Sequence, residues 1–194
     1  MRQGENYHMR QTICLLLLSL AFTVAASAQE TKPQGYAGEE RREIKSLPAE
    51  EIEQLLGGHG MGLAKAAELN HYPGPRHVLE LAAELRLTPE QRAHAHATFE
   101  RMRGEAVRLG RQIVEREKEL DASFAKGDID SGKLHTATAE IARLQGTLRA
   151  AHLAAHLEMR RLLSPAQIEK YDELRGYSTG KKMSAGHDPS HGKH

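Results

Sequence analysis

His152 and His156 are four residues apart, so on a helix their imidazoles stack on one face. Met159 falls on the same stripe: at about 100° per residue the three lie near 0°, 40° and −20°. An i, i+4 imidazole pair suits Zn, Ni, Co or Cu(II), and a thioether adds a soft donor that favours Cu(I). The same spacing also fits two half-exposed histidines on an amphipathic helix with a methionine as packing filler. A metal would need further donors from a partner helix. His77 is the first choice, because it stands at a helix start next to the Tyr72-Pro73-Gly74-Pro75 turn. His59, Met61 and His71 are others, if the N-terminal helices fold back over the long ones. His94 and His96 are two apart, point to different faces and make no local site. His187, His191 and His194 form a sparse tail tract that could chelate weakly.

The His152-Leu153-Ala154-Ala155-His156 run has the spacing of the H-E-x-x-H zinc-protease motif, but Leu153 stands where that motif needs its glutamate base. Without the base there is no metalloprotease mechanism. No G-x-S-x-G, P-loop or dinucleotide fingerprint appears either.

The elements that must carry these residues are helical. From Pro89 to about Ala125, the residues Ala95, Phe99, Met102, Ala106, Leu109, Ile113, Leu120 and Phe124 mostly alternate by four and three, a heptad stripe on a helix of about 55 Å. Gly127-Asp128 turns the chain. From Gly132 to Leu162 the seam is Leu134, Ala137, Ile141, Leu144, Leu148, Ala151, Ala155 and Leu162. A short connection between two seams of similar length predicts an antiparallel hairpin. Before it, Leu47–Leu56, Met61–Leu69 and His77–Leu85 read as short helices; after it, Pro165–Arg175 is a last helix stopped by Gly176. The seams are rich in Ala, so the short helices or a second subunit must complete the core, and a homodimer is expected.

Residues 1–28 read as a cleavable signal peptide: Arg10 before the apolar run Ile13–Ala26, then Ala26-Ser27-Ala28. That run is short for a membrane span, so no stable membrane insertion is expected after cleavage. Residues 29–46 read as a flexible leader, 47–177 as one helical domain and 178–194 as a disordered tail. Cleavage removes the only cysteine, Cys14, and leaves 25 basic and 25 acidic residues. A neutral chain without tryptophan offers nucleic acid neither a basic field nor a stacking platform. Histidine is the outlier, with 11 remaining.

Two copies of one signal bracket the hairpin: Leu87-Thr88-Pro89-Glu90-Gln91 and Leu163-Ser164-Pro165-Ala166-Gln167. In each, the hydroxyl caps a helix, Pro takes the first helical position, and Gln reaches back to the cap. With the signal peptide and the helical hairpin, these L-T-x-x-Q-type residues resemble the Spy/CpxP family of periplasmic stress proteins and the related zinc-resistance-associated and nickel–cobalt-sensing proteins. The resemblance, over roughly residues 78–176, implies a non-enzymatic periplasmic protein. Some members are ATP-independent chaperones that hold unfolded clients in a cradle-shaped dimer. Others bind metal through His, Met and carboxylates and report to an envelope signalling system through a membrane sensor's periplasmic domain. The neutral charge and the elaborate stretch between Gly60 and His77 depart from the cradle chaperones. The expectation is therefore a metal sensor or buffer using His152, His156, Met159 and His77, with a holdase or a signalling partner as the alternative.

Overall fold

The computed structural model describes residues 35–177, and among them every regular element is helical. The expected signal segment, the start of the leader and the tail from residue 178 lie outside the described residues. After a single 3-10 turn at Glu39–Arg41 come α1 (Ala49–Gly57), α2 (Lys65–Glu68), α3 (Pro75–Glu80), α4 (Pro89–Lys126), α5 (Ser131–Leu162) and α6 (Pro165–Arg175). Helices α4 and α5 form the expected antiparallel hairpin, turned at Gly127 in the left-handed conformation (φ 69°). Its direction shows in the cross-links: Gln91, near the start of α4, bonds the Leu162 carbonyl at the end of α5, and Thr98 bonds Glu158.

Both capping boxes form. The Thr88 and Ser164 hydroxyls accept from the Gln91 and Gln167 backbone N–H groups, while each glutamine Oε1 accepts from the backbone N–H of its cap. The two motifs also grip each other. Gln91 and Gln167 exchange amide hydrogen bonds, each 2.9 Å, and their Nε2 groups donate in addition to the carbonyls of Leu162 and Leu85. Thus Leu87, Thr88, Pro89 and Gln91 lock to Leu163, Ser164, Pro165 and Gln167, tying the start of α4 to the start of α6.

The short helices supply the apolar cover that the Ala-rich seams lack. One cluster joins Ile44, Leu47 and Leu55 to Ala106, Leu109, Ile113, Leu144 and Leu148 in the middle of the hairpin. Each large aliphatic side chain buried there contributes about 1.5–3 kcal/mol. Helix α1 lies so close to α4 that a Cβ on Gly110 would run into the Leu55 carbonyl. The second cluster, at the open end, gathers Val78, Leu85, Ala95, Met159, Leu163, Ile168 and Tyr171.

Three stretches differ from the sequence reading. The leader's last residues are held to α4: Ile44 is 1% exposed, Lys45 and Ser46 bond Asp121 and Glu117, and Lys118 bonds Glu43. The helix expected over residues 61–69 shrinks to α2, because Met61 and Gly62 take left-handed φ values of 46° and 73°. The helix expected over 77–85 starts two residues earlier, at Pro75, and ends at Glu80, with turns up to Arg86. At the hairpin tip the seam opens, leaving Phe124 and Leu134 exposed.

Candidate metal cleft

Between the two clusters the seam of both long helices changes character. On α4, Phe99, Met102 and Arg103 separate Ala95 from Ala106; on α5, His152 and His156 separate Leu148 from Met159. A cleft of about 680 Å³ opens there. Its other walls are the glycine-rich loop that carries His59 and Met61, Lys65 and Glu68 of α2, and the start of α3 with Gly74 and His77.

His156 is 8% exposed, and its Nδ1–H donates to the Tyr72 carbonyl at 2.7 Å. That bond fixes the proton on Nδ1 and leaves the Nε2 lone pair of the neutral ring free. Nε2 faces Gly74. A Cβ on that glycine would stand 3.2 Å from His156 Nε2 and 3.4 Å from Glu68 Oε2. The absent methyl therefore leaves a small space with an imidazole nitrogen and a carboxylate oxygen on its border. Two buried atoms on cleft-lining residues have no hydrogen-bond partner among the described residues: Glu68 Oε2 and His152 Nε2. Burial, and secondarily the charge of His156, pushes the His152 pKa below the ordinary 6.5, so its ring stays neutral at neutral pH.

An orphaned buried polar atom costs about 1–3 kcal/mol, and a cation would offset that cost. Two imidazoles and one carboxylate oxygen also make the donor set that zinc, nickel or cobalt accepts. By residue type, these side chains suit such an ion. They do not form a closed cage: among the described residues no three His, Cys, Asp or Glu groups gather tightly enough to hold one.

Glu68 is positioned by α6. Its Oε1 accepts from the Tyr171 hydroxyl at 2.5 Å and the Tyr177 hydroxyl at 3.2 Å, with Arg175 Nε at 3.5 Å. Tyr171 is fully buried, and burial, reinforced by the Glu68 carboxylate, pushes its phenol far above the usual range, so it remains a donor. The same hydroxyl accepts from Gly74 N–H at 3.4 Å, and His71 Nδ1 lies 2.7 Å from Asp172 Oδ2. Residues 68–74 are in this way strapped to α6, which sets the Tyr72 carbonyl and hence the His156 ring, the orienting role outer partners play around metal ligands.

Of the residues singled out from the sequence, His152, His156 and His77 line this one cleft, together with His59 and Met61. His77 is about one-third exposed and bonds Glu80 at 2.9 Å. Met159 does not join them. It is fully buried in the open-end cluster, because one turn beyond His156 the face of α5 meets α3 and α6 instead of the cleft. His71 is engaged with Asp172, and His94 lies 3.9 Å from Glu158. Sequence reasoning missed Glu68 and Gly74. Glu68 carries no local signal, since its partners Tyr171 and Tyr177 are more than a hundred positions away; Gly74 was legible only as part of a turn.

No helix among the described residues is long and apolar enough to cross a membrane. No curated protein matches the chain significantly, and no solved structure does. Residues 55–170 match the family model described as heavy-metal resistance, which is not an enzyme family and whose members are typically exported. That span takes in the hairpin, both capping boxes, His152, His156, Glu68 and Gly74, and the chain belongs to the heavy-metal resistance family.

Proposed function

We propose that the protein is an exported, periplasmic metal sensor or buffer that takes a divalent or soft heavy-metal ion into the cleft between its two core clusters. His152 and His156 supply imidazole nitrogens and Glu68 a carboxylate oxygen. His77, His59 and Met61, on less constrained segments of the rim, are the residues able to add a further donor. The observation that carries this reading is the pair of orphaned buried atoms, His152 Nε2 and Glu68 Oε2, next to a His156 whose tautomer is set by the Tyr72 carbonyl. The chain's own contribution is to keep the buried His152 ring neutral and to orient His156 before the ion arrives.

Calorimetry with Zn, Ni, Co and Cu on the exported protein tests it. The His152→Ala/His156→Ala double substitution is expected to weaken binding by at least about 100-fold, on the order of 2.7 kcal/mol. Equal affinity in the two proteins removes this site.

A homodimer is part of the proposal. It is supported by the apolar surface left at the hairpin tip, where Phe124 is 56% and Leu134 40% exposed. That same surface favours, as second reading, a holdase that binds unfolded clients without ATP; suppression of aggregation of a chemically unfolded client by excess protein distinguishes it.

A further inference from the structure

We propose that the ion is held in this cleft as an anionic complex with a small polycarboxylate rather than as a bare cation. The inference rests on the reading that the cleft takes metal, and it names the form in which the metal is bound.

Three observations lead there. The first is size. A volume of about 680 Å³ lies within the range of roughly 300–1,000 Å³ typical of small-molecule pockets. An ion with its donors about 2.0–2.3 Å away needs a small fraction of that space. The second is the open donor set. His152, His156 and Glu68 together offer three donors, fewer than the four a tetrahedral ion takes, so at least one coordination position is left for a co-ligand. The third is charge. Lys65 and Arg103 line the same cleft, and neither is paired with a carboxylate among the described residues. Arg76, also on the wall, is engaged with Glu80, and the one carboxylate in the cleft, Glu68, has Arg175 3.5 Å away. A bare dication would enter against a positive field, whereas an anionic chelate is drawn in. Arg and Lys are the side chains that receive carboxylates, Arg in bidentate geometry. In the complex His152 and His156 complete the coordination of the ion, and Lys65 and Arg103 take the free carboxylate groups of the chelator.

The test uses the exported protein, Ni(II) as metal and citrate as polycarboxylate. Nickel affinity is measured by calorimetry with and without citrate at the nickel concentration, and retention of radiolabelled citrate by equilibrium dialysis. Citrate is expected to raise the apparent nickel affinity by about tenfold, an ordinary ligand–ligand coupling, and to be retained only when nickel is present. In Lys65→Ala/Arg103→Ala both citrate effects are expected to vanish, while nickel alone binds at least as tightly as to the wild type because the opposing positive charge is gone. If citrate only competes for nickel and none is retained, this inference falls and the metal reading stands. If nickel binds neither alone nor with citrate, both fall.

Discussion

At Gly74 a single methyl group would separate folding from the proposed metal binding. The residue has φ −85° and ψ 141°, ordinary backbone for a position before proline, so alanine fits the chain there. Its Cβ would stand 3.0 Å from His156 Cε1 and 3.2 Å from Nε2, inside the space proposed for the metal. Gly74→Ala is therefore expected to keep stability within about 1 kcal/mol while metal affinity drops at least tenfold, roughly 1.4 kcal/mol; calorimetry and urea unfolding read the two effects separately, and unchanged affinity contradicts the site. His152 makes a second prediction. Its folded pKa is depressed, so the folded protein binds fewer protons there than the unfolded chain, and the associated stability is complete above the ordinary value of 6.5 and lost as pH falls below it. Metal-free wild type should lose more stability between pH 7.5 and 5 than His152→Gln does; equal losses would show that the buried ring is not the cause. At this scale the i, i+4 spacing of the histidines was visible in the sequence. Their burial was not, and neither was Glu68, which matters only because of hydroxyls 103 and 109 positions away.

Among elements, the duplicated motif is a lock as well as two caps. Each capping box is local, three residues from hydroxyl to amide, which is why both helix starts were readable from the chain alone. The exchange of hydrogen bonds between Gln91 and Gln167, 76 positions apart, was not readable, because it exists only once α6 is folded back beside α4. Gln91→Ala removes the partner of the Gln167 amide and of the Leu162 carbonyl together, with an expected cost of about 1–3 kcal/mol. In a double-mutant cycle with Gln167→Ala the coupling is expected at about 0.5–3 kcal/mol. Additive single effects, measured by denaturant unfolding, would mean that the two motifs act only as separate caps. Helix lengths followed the same division. The long helices and α6 announce themselves by periodicity and stop signals, whereas α2 and α3 came out shorter because left-handed residues and tertiary packing bound them.

For the whole molecule, the hairpin is packed from the open end to its middle and unpartnered at its tip, where Phe124 and Leu134 face outward. A dimer is the expected state at micromolar concentration in sedimentation velocity, and Phe124→Asp/Leu134→Asp is expected to shift it toward monomer without loss of helical circular dichroism. A compact wild-type monomer would contradict this. By itself the sequence determined the helical class, the antiparallel pairing of the two longest helices, the capping boxes and the histidine stripe, because each of these depends on interactions three or four residues apart or on a repeat near 3.6. Tertiary structure alone decided that His152 and His156 are buried between the two core clusters, that Met159 is packed away, and that Glu68 and Gly74 complete the cleft. The orientation of His156 and the placing of Glu68 depend on contacts 84 and 103 positions apart in the chain, and no local spacing encodes which distant carbonyl or hydroxyl will meet a buried group.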